Sequence, residues 1–241
     1  MTFQKGKAGF IDISGDLTFP TNFEATSIFS DGLAAICIGS KWGFIDKLGK
    51  IVVNPQFDSV GDFENGLTYA KVSGRVGLIN KEGKLIVPPK FDWVEKTLQE
   101  GFTVIDPPRE AQGLISVRLD GKWGYINRQG TQIIKPQFED AGQFSIEGLA
   151  AVKIGGRWGY IGMNGKFAIN PQFEEAREYR EGFAFIKSNN RYTFIDKLGK
   201  PIVAPQFDGC WYFRDGLARV QLADLWGYID TNGKYVWNPS K

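Results

Sequence analysis

The side chain that most often moves protons in an active site is missing from this chain. Its 241 residues include no His, which removes the commonest general base and the commonest metal ligand together. The two thiols, Cys37 and Cys210, are far apart in sequence, and no imidazole is available to activate either one. There is no nucleophile elbow, no Gly-x-Gly-x-x-Gly and no paired-Cys metal spacing. Gly43 to Gly49-Lys50 has the outline of a phosphate loop. The spacing is one residue too long, however, and Ile51 stands where Ser or Thr is required. A carboxylate pair acting as glycosidase acid and base remains an alternative, but the spacing of the Asp and Glu residues marks no such pair. The expectation is a non-enzyme with no catalytic residue, no metal and no cofactor.

Two other chemistries recur at regular intervals. Trp-Gly pairs stand at Trp42-Gly43, Trp123-Gly124, Trp158-Gly159 and Trp226-Gly227, and Trp stacks on sugars, bases and cations. Basic residues precede that slot at Lys7, Lys41, Arg75, Lys122, Arg157 and Arg191, and acidic ones fall at Glu24, Asp58, Asp92, Glu139, Glu174 and Asp208. A row of cations could steer a polyanion. Stripes of both signs more often form ion pairs between repeats and protect sheet edges. The Trp row likewise reads better as packing than as a ligand platform, because Ala8, Val76 and Tyr192 replace Trp in other copies. The Gly after it then serves close backbone approach.

The elements carrying these residues are copies of one unit. The Trp-Gly frame passes through Gly9, Gly43, Gly77, Gly124, Gly159, Thr193 and Gly227, in steps of 34, 34, 47, 35, 34 and 34 residues. A period of this length implies a repeat architecture. In one copy, residues 149–154 and 157–161 read as strands around the turn signal Gly155-Gly156, and residues 166–169 as a third strand. The loop between the second and third strands runs Asp46-Lys47-Leu48-Gly49 in another copy, fitting a type I turn that ends in a left-handed residue. Pro55, Pro136 and Pro171 are expected to stop the third strand, for want of an N–H. About ten residues then cross to the next copy, with room for a fourth short strand. Two Gly turns and a Pro in every period exclude helical hairpins of the same length.

The expectation is therefore an all-β single domain over residues 1–241. It comprises about seven antiparallel meanders of three to four strands, in an open, solenoid-like superhelical stack; the alternative is a closed, seven-bladed propeller-like ring. The strands carry apolar groups on both faces, so neighbouring meanders must cover each other. Thirty Gly and 11 Pro suit many tight turns, and the net charge of +2 gives no signal for nucleic acid. No apolar run approaches membrane-spanning length, and no signal segment opens the chain. Cytoplasmic localisation is the expectation. The repeat begins within the first ten residues, so a longer parent protein could have been trimmed to this piece.

The pattern resembles the WG (KWG) repeat family of bacterial proteins. It is carried by Gly148-Leu149-Ala150-Ala151-Val152, Lys41-Trp42-Gly43-Phe44-Ile45-Asp46, Gly49-Lys50-Ile51-Val52 and Pro55-Gln56-Phe57. The resemblance implies a β-rich repeat module, often accessory to larger bacterial proteins. It brings no catalytic residues.

Function is then expected where the repeat is broken. Thirteen extra residues enlarge the third unit near 97–112, and they include Asp106 and Arg109. Trp93, Trp211 and Tyr212 are aromatics outside the common frame. With Asp106 and Arg109 they form the candidate contact patch. Cys37 occupies the register position of Lys71, Arg118, Lys153, Lys187 and Gln221, so a solvent-facing thiol is expected there. The leading function is a scaffold for protein–protein interaction, binding a protein partner or an attached domain. Carbohydrate or cell-envelope polymer binding through exposed aromatics is the first alternative, and a propeller-like enzyme with a carboxylate site the second.

Overall fold

A computed structural model describes residues 2–4, 7–10, 14, 23–94 and 113–240 of the chain. Among them there is no helix; every regular element is a strand. Five sheets have four strands, one has three and one has two. The chain divides into two compact units, residues 1–102 with 117–120, and residues 103–116 with 121–241.

In the first unit, Ala25–Thr26, Leu33–Ile38, Lys41–Asp46 and Ile51–Phe57 form one antiparallel sheet. Ser59–Val60, Leu67–Val72, Arg75–Asn80 and Leu85–Phe91 form the next. In the second unit, Asp140–Ala141, Leu149–Ile154, Arg157–Gly162 and Phe167–Phe173 repeat the pattern. Gly209–Cys210, Leu217–Leu222, Leu225–Asp230 and Tyr235–Ser240 repeat it again. The crossover does supply the short fourth strand. Local chemistry sets each turn: Asp46 Oδ1 accepts the Leu48 and Lys50 N–H groups at 2.9 and 3.0 Å, and Gly49 takes φ 80°.

The third strand differs from expectation. Pro55 does not end it; the strand runs on to Phe57, which pairs with Trp42, while Val53 pairs with Phe44. Between those pairs the third strand has three residues opposite the single Gly43, a bulge in which the proline's missing N–H costs no ladder bond. The bulge presses its backbone onto Gly43: a Cβ added there would lie 2.3 Å from the Val53 carbonyl oxygen and 2.6 Å from Pro55 N. At Gly77, Gly124 and Gly159 the same carbonyl would be met at 2.3, 2.6 and 2.6 Å. The expected close backbone approach is present, and it arises within each sheet, between second and third strands.

Thr193 replaces this Gly in the sixth copy, and there the regular third strand is missing. The sheet keeps three strands, Glu175–Ala176, Ala184–Ser188 and Arg191–Ile195. Residues 201 to 207 hold on through separate bonds, among them Ile202 N–H to the Phe194 carbonyl at 3.0 Å.

The core lies between successive sheets of a unit. Phe44, Val53 and Phe57 pack with Phe63, Ala70 and Ile79 of the following copy. Tyr160, Ile169 and Phe173 pack with Tyr179, Ile186 and Ile195 in the same way. Residues pointing to the opposite face of each second strand, such as Ile45 and Ile161, are also buried. Both faces of these sheets are thus covered, as strands with apolar groups on alternate sides require.

Candidate functional site

Four of the recurring basic residues pair with acids of the next copy. Lys41 pairs with Asp58 of the next copy at 2.6 Å, Arg157 with Glu174 at 4.0 Å, and Arg75 and Arg191 with Asp92 and Asp208. The same carboxylates accept N–H groups from the left-handed hairpin turns. Asp58 takes Ser73 N–H at 2.7 Å, Glu174 takes Asn190 N–H at 3.1 Å, and Asp208 takes Ala223 N–H at 2.8 Å. The hydrogen bond from Lys41 holds the Asp58 carboxyl below its ordinary range. A second ladder links acids near Gly-Leu to the next copy: Asp31 to Gly66 N–H at 2.6 Å, Glu147 to Gly182 N–H at 3.0 Å, and Glu181 to Gly216 N–H at 3.0 Å. Exposed pairs of this kind each contribute little. Repeated at several junctions, they set the register between those copies.

The signature tryptophans stand at the rim of the core. Trp42, Trp123 and Trp158 are half-buried and lean on the clusters between sheets. The centre is filled instead by the ring two residues later, at Phe44, Tyr125, Tyr160 and Phe194, each fully buried. Each of these rings meets another, 19 positions further on in the crossover. The pairs are Phe44–Phe63 at 4.6 Å, Tyr125–Phe144 at 4.9 Å, Tyr160–Tyr179 at 4.9 Å and Phe194–Phe213 at 4.8 Å between centroids. Hydroxyls in this row find carbonyls, with Tyr125 donating to Gly142 at 2.6 Å and Tyr160 to Arg177 at 2.7 Å. Burial pushes the Tyr160 and Tyr179 phenols above their usual range.

Of the candidate contact residues, Asp106 and Arg109 lie outside the described residues, as does the rest of the insertion near 97–112. Trp93, in the first unit, is 41% exposed and pairs with Arg118. Trp211 and Tyr212 are in the second unit and are adjacent, yet they are used differently. Tyr212 packs on Phe185 at 5.0 Å under the Arg180 guanidinium, and burial raises its hydroxyl to about 12. Trp211 is 40% exposed, and its ring meets Trp226 at 4.7 Å. The Arg219 guanidinium lies over both indoles, 4.4 and 4.5 Å from their centroids.

Trp211 therefore belongs to a face that the candidate patch did not include. Arg219, Tyr228 and Trp237 are directly opposite one another on three adjacent strands of the last sheet. Tyr228 and Trp237 are 42% and 62% exposed. A comparison of copies reveals the signal in the sequence. Arg219 takes the place of Ala35 and Ala151, and Trp237 that of Val53, Val87, Ile134 and Ile169.

Cys37 corrects an expectation: it is buried, at 7% exposure. Its register is as read, opposite Trp42 as Lys153 is opposite Trp158. The thiol is short enough to stop at the depth a lysine stem spans. Glu24, which holds the Gly39 and Ser40 N–H groups at 3.0 and 3.1 Å, closes over it with an oxygen 3.8 Å from the sulfur. Burial, followed by the nearby Glu24 charge, pushes this thiol up.

Among the described residues no group of three or more Cys, Asp or Glu is placed to hold a metal ion. Antiparallel sheets in register, keyed to a neighbour within each unit by rings and carboxylates, define an all-β repeat protein. The chain belongs to the WG containing repeat family, whose model matches residues 9–42, 42–75, 77–123, 123–158, 158–192, 192–226 and 226–239. No curated protein matches it. Among solved structures, the eukaryotic initiation factor is similar in fold, with a TM-score of 0.53 and 10% identity over 95% of this chain and 69% of that one. Hsv2p of Kluyveromyces lactis gives a TM-score of 0.46 and 8% identity over 86% of this chain and 73% of that one.

Proposed function

We propose that this chain is a non-enzymatic repeat scaffold that holds another protein, or another module of its own parent chain, through surface residues the repeat does not share. One contrast carries the reading. Most described charges of the row before the Trp-Gly slot are engaged between copies, as Lys41 is with Asp58 and Arg191 with Asp208. The aromatics that do not recur, Trp93 and Trp211, stand exposed. Trp, Tyr and Arg are the residue types that dominate binding energy at protein interfaces. A photo-crosslinker at position 93 or 211, with position 58 as control, tests this in cells producing the intact chain. Capture of one same protein from 93 or 211 but not from 58 is expected. Equal capture from all three positions would overturn the reading.

The exposed indoles also favour a second reading, binding of a carbohydrate or envelope polymer. A glycan-array signal lost in Trp93→Ala or Trp211→Ala would replace the first reading with this one. We take the array to be open. A closed seven-bladed ring is the alternative. The propeller-like fold of the initiation factor supports the ring. Solution scattering separates an elongated particle from a disc.

A further inference from the structure

We infer that the outer face of the last sheet is a docking site for a protein segment that presents a Phe or Tyr ring beside an Asp or Glu. This rests on the protein-binding reading above and names the chemistry of the partner.

The chain itself shows what such a face accepts. In four preceding copies the ring at this slot is met by a Phe or Tyr from a crossover, at 4.6 to 4.9 Å between centroids. Carboxylates flank two of the four incoming rings: Asp62 and Glu64 flank Phe63, and Glu178 precedes Tyr179. Tyr228 occupies the same slot and is 42% exposed. An aromatic ring laid on it reproduces an interface the molecule already makes repeatedly.

The face is nevertheless not a copy of an internal junction. The basic residue that pairs with the next copy, Lys41 or Arg191 elsewhere, is replaced here by Leu225. Arg219 stands in the middle of the sheet in place of Ala35 or Ala151. Its guanidinium is held over Trp211 and Trp226, so little rotamer freedom is left to lose on binding. A fixed cation beside an exposed aromatic surface selects an anionic group next to a ring, and Arg matches carboxylate geometry with paired N–H donors. The cation has moved from the sheet edge to the centre of the face, and with it the acid a partner must offer.

Selection of a displayed library of random nonapeptides on the intact chain tests this. The enriched peptides are expected to carry Phe or Tyr within two positions of Asp or Glu. Synthetic versions should lose at least tenfold in affinity for both Arg219→Glu and Tyr228→Ala, each first shown to be folded by its near-ultraviolet circular dichroism. Exchanging the acid for Lys in the peptide should restore binding to Arg219→Glu. Peptides that bind both variants as well as the parent overturn this site and leave protein binding standing at another surface. Failure of any peptide to enrich counts against the protein-binding reading as well. A concentration-dependent dimer lost in Tyr228→Ala assigns the face to a second copy, and displacement of bound peptide by a glycan assigns it to a polymer; either overturns the proposal.

Discussion

The Thr193 hydroxyl donates to the carbonyl oxygen of Val203 at 2.5 Å, the counterpart of the carbonyl that a Cβ on Gly43 would strike at Val53. One contact thus has two solutions. Gly admits the bulged third strand against the second; Thr holds it off and bonds to it. Gly159→Ala should cost on the order of 1–3 kcal/mol, because the added methyl meets backbone and not a yielding side chain. Thr193→Val should cost about 1 kcal/mol through the lost hydrogen bond, while Thr193→Ser should keep most of it. Chemical denaturation of the three variants checks the order.

Ala223 sits at φ 49° in the last hairpin turn, where other copies place Gly, Ser, Asp or Asn. A left-handed Ala is strained, and Asp208 holds it there through the Ala223 N–H. Ala223→Gly should therefore stabilise the chain by about 1 kcal/mol, which a rise in denaturation midpoint would show. Asp208→Ala should move the midpoint the other way.

Much of this was legible in the sequence because the repeat prints each decision several times. Strand order, the Asp-to-Gly loops and the short crossover strand follow from turn residues at fixed offsets. Other features depend on what lies across the sheet. The role of Pro55 is invisible until Phe57 is seen to pair with Trp42, which turns an expected stop into a bulge. Cys37 has the register of a surface lysine, but its burial is decided by side-chain length and by Glu24, 13 residues away. Neither Arg219 nor Trp237 is unusual alone; each stands out only against its counterparts in other copies.

Both thiols should resist labelling. Cys37 and Cys210 are buried, and burial raises both. A thiol-reactive dye should label neither in the folded chain at neutral pH and both once denaturant is added. Rapid labelling of Cys37 under native conditions would contradict its position beneath Glu24.

Stability should fall at both pH extremes, for opposite reasons. Burial holds Tyr160, Tyr179, Tyr212 and Cys210 in their neutral forms, with Tyr212 raised to about 12. A raised acid favours the folded state below its unfolded value, and that advantage is lost as pH climbs toward the folded one. The melting temperature should thus drop from about pH 9 upward, and less steeply in Tyr212→Phe. Asp58 is lowered, chiefly by its bond from Lys41, so its contribution is present above the ordinary carboxylate range and lost as pH falls through the folded value. The stability gap between the parent chain and Asp58→Asn should narrow below about pH 4.

The central claim is a division of labour: recurring residues hold the copies together, and residues that break the recurrence bind. One paired measurement on four variants tests it most directly, melting temperature alongside affinity for a selected acidic–aromatic peptide. Asp58→Ala and Glu181→Ala should lower the melting temperature and leave affinity within about twofold of the parent, whereas Arg219→Glu and Tyr228→Ala should lose tenfold or more in affinity with no larger drop in melting than those two variants show. Affinity and melting temperature falling together across all four would contradict the division.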